Sequence, residues 1–230
     1  MLLHGIWKEV KIVEKFKNRT HAGKLLAAHL TAYANHPNLL ILGLPRGGVP
    51  VAFEVAKALH APLDIFLVRK LGVPYRQELA MGAIAPGDVM AIDEDIVKWL
   101  GISKQTITTV ADREKRELDR RDRLYRGDRP TPQIRDRTVI LVDDGIATGS
   151  TLRAAIAAIK PQQPHEIIVA IPVAPPIVYQ KLQAEVDEVA CVLLPKSLSA
   201  IGQWYEDFSQ TTDEEVRRLL AQANNLLAAN

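Results

Sequence analysis

The stretch Val139-Ile140-Leu141-Val142-Asp143-Asp144-Gly145-Ile146-Ala147-Thr148-Gly149-Ser150-Thr151 constrains this chain more than any other. Its apolar start reads as a strand buried on both faces, which needs neighbours in a sheet and cover above and below. Two aspartates follow at the strand's carboxyl end, then a turn of small residues, then an apolar pattern of helical spacing over 150–159. The pattern continues downstream with strand 166–171, helix 176–184 and strand 188–194. Strands alternating with helices predict an α/β fold with a parallel sheet and right-handed crossovers.

Ligands of open α/β sheets sit beyond the carboxyl ends of the strands. A turn of small residues leading into a helix offers backbone N–H groups to a phosphate, and Thr148, Ser150 and Thr151 add hydroxyls. Asp143 and Asp144 repel phosphate, so they suit sugar hydroxyls or metal-bound water instead. A sugar phosphate satisfies both halves. The plainer alternative is an ordinary strand-to-helix turn with two solvated aspartates. A Walker-type nucleotide loop is disfavoured, because no lysine precedes Ser150 and Thr151.

Upstream, an amphipathic helix is expected over 16–33 and a short strand over 39–43. The turn Leu44-Pro45-Arg46-Gly47-Gly48 and a helix over 49–59 follow. A buried strand is expected over 63–68 and a polar loop over 69–79. Residues 81–84 and 89–92 are expected to form a hairpin across Ala85-Pro86-Gly87-Asp88. Two helices, 94–100 and 103–125, come next. The second alternates in charge and reads as a solvated helix with i,i+4 ion pairs, the other option being a flap or dimer contact over an anionic ligand. Residues 127–135 form a linker. The segment 196–210 is irregular and aromatic-bearing, and a final helix over 212–227 starts at a capping box of Thr212 and Glu215.

The strand, acid pair and Thr-Gly turn together resemble the signature of the type I phosphoribosyltransferases. The resemblance covers nearly the whole chain, including Arg69-Lys70-Leu71-Gly72-Val73-Pro74 and Gly202-Gln203-Trp204-Tyr205-Glu206-Asp207-Phe208. It implies a parallel sheet flanked by helices over 1–230, with core segments at about 38–84 and 136–195. It further implies a flexible loop, an inserted helical region at about 85–135 and a C-terminal hood at about 196–230.

The family's roles carry over residue by residue. Ala147, Thr148, Gly149, Ser150 and Thr151 would hold the 5-phosphate of phosphoribosyl pyrophosphate (PRPP), with Gly145 and Ile146 also among the PRPP-binding positions. Asp143 and Asp144 would hold the ribose hydroxyls and touch Mg2+ through water. Arg46, Gly47 and Gly48 would form the pyrophosphate loop, with a cis peptide at Pro45–Arg46. Arg69 and Lys70, followed by Gly72, Pro74, Arg76 and Gln77, stand at the flexible catalytic loop; the alternative for Arg69 and Lys70 is a pair of solvated strand-end charges. Asp143, Asp144, Arg46 and Lys70 are then the catalytic candidates. The hood candidates for the acceptor are Lys196, Gln203, Trp204, Tyr205 and Phe208; the alternative is that these aromatics only pin the last helix.

The implied activity is Mg-dependent transfer of 5-phosphoribosyl from PRPP to a nitrogen acceptor, a nucleobase by family habit, with release of pyrophosphate. A PRPP- or nucleotide-binding regulator without catalysis, or a phosphoribosyl hydrolase, would share the signature. Ala147 stands where the 6-oxopurine enzymes carry an Asp, and Ile171-Pro172-Val173 lacks their lysine, which disfavours hypoxanthine and guanine.

Composition agrees with a folded enzyme of anionic metabolites. Apolar residues are 47%, charged residues 24%, and the net charge of +2 does not point to nucleic acid or a membrane surface as partner. The six histidines (His4, His21, His29, His36, His60, His165) show no metal-ligand spacing. Cys191, the single cysteine, lies in an apolar run and reads as a buried strand thiol. It also leaves no cysteine-rich zinc module like that of the relatives serving DNA uptake. No signal peptide or membrane span is read in 1–10 or beyond, so the expectation is cytoplasmic, with a homodimer compatible with the family.

Overall fold

The computed structural model describes residues 14–228, with the side chains of Gln77, Glu78 and Ala228 outside the description. The stretch 1–10, with His4, therefore lies outside the described residues.

The first helix, α1 (Arg19–Ala28), begins three residues later than the periodicity suggests. Asn18 caps it, its side chain accepting from the His21 N–H at 2.9 Å. Phe16 instead bridges to Tyr205, and 31–33 is a separate 3₁₀ turn. Then come β1 (Leu39–Gly43), α2 (Gly48–Leu59) and β2 (Leu63–Ile65), the last shorter than the expected 63–68.

The expected polar loop 69–79 is overturned. β3 (Arg69–Val73) and β4 (Arg76–Ala85) pair antiparallel across a tight turn at Pro74 and Tyr75, and β5 (Val89–Ile92) completes a three-stranded sheet. The 81–84/89–92 hairpin is found as expected. α3 (Glu94–Leu100) and α4 (Lys104–Arg126) start on the caps Asp93 and Ser103. Next are β6 (Thr138–Val142), α5 (Ser150–Ile159), β7 (Glu166–Val173), α6 (Pro176–Gln183), β8 (Glu188–Leu193) and α7 (Asp213–Ala228). Thr212 caps the last helix, accepting from the Glu215 N–H at 3.1 Å.

The main sheet has five parallel strands in the order β2-β1-β6-β7-β8. Successive residues of each strand face opposite cores. Leu39, Ile41, Ile140 and Val142 join α1, α2 and α7 on one face; Leu40, Leu42, Val139 and Leu141 join α5 and α6 on the other. Both faces being covered explains why β1 and β6 are buried at every position. The charged helix α4 buries Val110, Ala111, Leu118 and Tyr125, and carries ion pairs outward such as Glu117–Arg121 and Lys115–Asp119. No helix among the described residues is long and apolar enough to cross a membrane.

Candidate active site

The carboxyl ends of β1 and β6, adjacent in the sheet, deliver two loops that touch each other. The peptide Pro45–Arg46 is cis, as the resemblance implies. The loop after β1 then runs so close to the acid pair that only glycine fits. A Cβ on Gly47 would stand 2.0 Å from Asp144 Oδ2, and one on Gly48 would stand 2.7 Å from the Val142 carbonyl oxygen. Gly47 has an ordinary backbone conformation, so space rather than φ demands glycine here.

Asp143 is partly buried and Asp144 is 8% exposed. Burial, and then the charge of Asp144 beside it, push the Asp143 carboxyl well above the usual carboxylate range. Burial also raises Asp144, while Arg19 pulls it back down. The Asp143 carboxylate accepts the Asp144 N–H at 2.9 Å.

Beyond the acids, Gly145 lies against Val173 and Ile201, and Ile146 N–H donates to the Val173 carbonyl at 3.0 Å. The turn then reaches Gly149, left-handed at φ 76°, which starts α5. Ala147, Thr148, Ser150 and Thr151 are exposed, and the hydroxyls of Thr148 and Ser150 lie 3.2 Å apart. The turn thus presents the start of a ten-residue helix and two adjacent hydroxyls to solvent.

The cations around these loops are held by acids from other elements. Arg46 lies 3.6 Å from Asp213, whose carboxyl is lowered by the Tyr125 hydroxyl and then by Arg46. Arg69 donates to Glu114 of α4 at 2.6 Å. Arg69 also borders a small cavity with Pro45, Thr151 and Arg121, an α4 residue that sequence reading did not single out. Lys70 faces a different space, a cleft beneath β4 and β5 that Thr148, Ser150 and Arg153 also line. The structure therefore brings Gly47, Gly48, Asp143 and Asp144 together, turns the Arg46 side chain toward Asp213, and sets Lys70 against a separate cleft from the small cavity. Gln77 lies outside the described side chains.

The hood is placed differently from a set of open stacking surfaces. Tyr205 is 4% exposed, its ring between Phe16 (5.2 Å) and Phe208 (4.9 Å), and its hydroxyl donates to the Asp144 carbonyl at 2.6 Å. The expectation that Tyr205 stacks on a base is corrected: packing occupies its ring. Phe208 is covered by the Arg19 guanidinium at 4.0 Å. Trp204 packs in the same apolar cluster with its indole N–H buried and unbonded, while Lys196 and Gln203 are exposed.

Arg19 is the residue that sequence reading missed. From the first turn of α1, its Nε donates to Asp144 at 2.8 Å and a second nitrogen to the Ser209 carbonyl at 2.7 Å. Nothing local marks it: Asn18 signals a helix start, and any charged residue could follow.

A five-stranded parallel sheet, an acid pair at the end of β6, a small-residue turn into α5 and a glycine loop packed on the acids define a phosphoribosyl transferase domain of the type I kind. The chain belongs to that family: the phosphoribosyl transferase domain matches residues 9–202. It is similar in structure to TT1426 from Thermus thermophilus, at 38% identity and a TM-score of 0.84, over 90% of this chain and 98% of that one. It is 40% identical over 209 residues to Rv0571c of Mycobacterium tuberculosis H37Rv, named as a candidate phosphoribosyl transferase, and equally to MT0597 of strain CDC 1551. Those matches cover 91% of this chain and 47% of each relative, so the chain spans about half the length of the curated relatives it matches.

Proposed function

We propose that this protein transfers 5-phosphoribosyl from PRPP to a nitrogen acceptor, a nucleobase or similar heterocycle, with release of pyrophosphate. One observation carries the reading: the Gly47 backbone is packed against the Asp144 carboxylate at the ends of adjacent strands. That contact joins a pyrophosphate-type loop to a ribose-type acid pair.

In this reading 147–151 bind the 5-phosphate through backbone N–H groups and the Thr148 and Ser150 hydroxyls. Asp143 and Asp144 accept hydrogen bonds from the ribose hydroxyls. Arg46 exchanges Asp213 for pyrophosphate oxygens, with Arg69, and Lys70 if the β3–β4 arm closes, adding charge as the leaving group departs. The chain's contribution is positioning and stabilisation of the pyrophosphate, which suits a transition state of oxocarbenium character.

The donor set fits Mg2+. Asp143 and Asp144 are two adjacent hard oxygen donors at the site. That matches an ion held by one or two carboxylates, water and substrate phosphates. When bound, it would supply charge neutralisation at the pyrophosphate.

The uptake of Tyr205 and Phe208 into packing gives weight to a second reading, a PRPP- or nucleotide-binding regulator that does no chemistry. The test is pyrophosphate release from Mg-PRPP across purines, pyrimidines and small nitrogen heterocycles, with Asp143→Asn/Asp144→Asn as control. Release that depends on an acceptor and disappears in the double variant is the expected result. Donor binding without release on any acceptor would sink the transferase reading and leave the regulator.

A further inference from the structure

We propose that Arg19 is a positioning residue for the phosphoribosyl donor, one that neutralises Asp144 and at the same time fastens the hood to the acid pair. The inference rests on the donor-site reading above. The guanidinium touches two separate parts of the site and runs beside a third. Its Nε is 2.8 Å from Asp144 Oδ2; its other end is 2.7 Å from the Ser209 carbonyl oxygen, and it lies 4.0 Å over the ring of Phe208. The third part is the pyrophosphate-type loop, since the position of a Gly47 Cβ would be 3.3 Å from Arg19 Nε.

The arrangement solves a charge problem. Two adjacent aspartates stand beside a site for a ligand with several phosphate charges. A carboxylate as enclosed as Asp144 is costly to leave without a partner, and an unpaired charge there would repel the donor's phosphates. Arg19 supplies that partner from a helix outside the signature, and lies outside the positions assigned to the donor. Both side chains of the pair are 12% exposed, so the attraction is little screened by solvent.

It also couples the two ends of the reaction. The hood segment 204–207 is hydrogen-bonded to Phe16 and Lys17, just before Arg19 in the chain. The Phe16 N–H donates to the Trp204 carbonyl, and the Glu206 N–H returns to the Phe16 carbonyl, both at 2.8 Å. The Tyr205 hydroxyl then reaches the Asp144 backbone. Arg19 closes this circuit through Phe208 and Ser209, so the wall on the acceptor side and the ribose-binding acids are set as one unit.

Lysine and methionine separate the two roles. Lysine keeps a charge beside Asp144 but has no planar fork to bond Ser209 and cover Phe208 together; methionine keeps the stem and loses both. The measurement is calorimetric binding of Mg-PRPP to wild type, Arg19→Lys and Arg19→Met, with hydrogen exchange followed at 205–209. The expected result is a donor Kd raised about tenfold or more in Arg19→Met and within about threefold of wild type in Arg19→Lys, with faster hood exchange in both.

A wild-type Kd in Arg19→Met, or equal losses in the two variants, overturns the proposal while leaving the donor site standing. No donor binding by wild type overturns the donor-site reading, and this proposal with it. If Arg19→Met does not fold, Arg19→Gln, also uncharged, takes its place in the comparison with Arg19→Lys.

Discussion

At the scale of single residues, the acid pair works against the stability of the fold. The Asp143 carboxyl is raised above its value in an unfolded chain, near ~4, chiefly by burial. A raised folded-state value favours the neutral form. Its contribution to stability is therefore complete below about pH 4 and is lost as pH rises through the folded value. Function in the proposed reaction needs the ionised form, so activity and stability pull this residue in opposite directions. Asp143→Asn cannot ionise, yet its side-chain oxygen can still accept the Asp144 N–H. The expected outcome is a higher Tm at neutral pH without added ligand, a flatter fall of Tm as pH rises above about 4, and loss of donor binding. A gain of about 1 kcal/mol corresponds to about 2–4 °C in a chain of this length. Melting curves across that pH range decide it, and a lower Tm at neutral pH in the variant would count against the account. Cys191, half-buried in β8, shows the same burial effect: its thiol is pushed up to about 12, which keeps it in the protonated form at neutral pH.

At the scale of elements, the charged helix α4 has two kinds of arginine, and sequence pattern does not distinguish them. Arg120 pairs with Glu117 at the surface and is 61% exposed. Arg126 is 2% exposed, bonds the Ile65 carbonyl at 2.5 Å, lies 3.2 Å from Asp64 and pairs with Asp122. Removing Arg126 strands two carboxylates and an end-of-strand carbonyl. Arg126→Ala should therefore cost about 3–5 kcal/mol, against at most about 1 kcal/mol for Arg120→Ala. Urea unfolding of the two variants measures both, and similar costs would show that the buried cluster does not anchor α4 to the end of β2. The misread segment 69–79 belongs at this scale too. Gly72 and Pro74 punctuate it and Arg69, Lys70 and Arg76 make it polar, so local signals favour a loop. What makes it sheet is pairing with 76–84, where Leu71, Val73 and Met81 find a common core with α4. By contrast β6 and α5 were legible almost to the residue. Their apolar runs are buried by nearest neighbours in the sheet, and the small-residue turn between them is a local signal.

At the scale of the whole molecule, the two cores on either side of the five-stranded sheet were legible as alternation of strands and helices, while the completion of the site was not. Arg19 and Asp144 are 125 positions apart, and Arg19 and Ser209 are 190 apart. No spacing rule reaches that far, and the signature that marks the acid pair and turn does not extend to Arg19. The glycines, acids and turn could be found because each chemistry requires a particular residue type within a few positions. Cohesion should be graded accordingly. Amide exchange is expected to be slowest in β1, β6 and β7, which are covered on both faces. It should be faster by at least about tenfold near the Pro74–Tyr75 turn, where Tyr75 is fully exposed. Mass-spectrometric exchange at neutral pH reads this directly, and uniform protection would refute it. The bridge between Phe16 and Tyr205 has a consequence for how the protein is made. On the ribosome the sheet can be finished once residue 193 has emerged, because every strand is then present. Arg19, synthesised far earlier, must wait for Ser209 and the ring of Phe208 before it has all of its partners. The nascent chain therefore completes its sheet before Arg19 has the partners that join the acid pair to the segment 205–209.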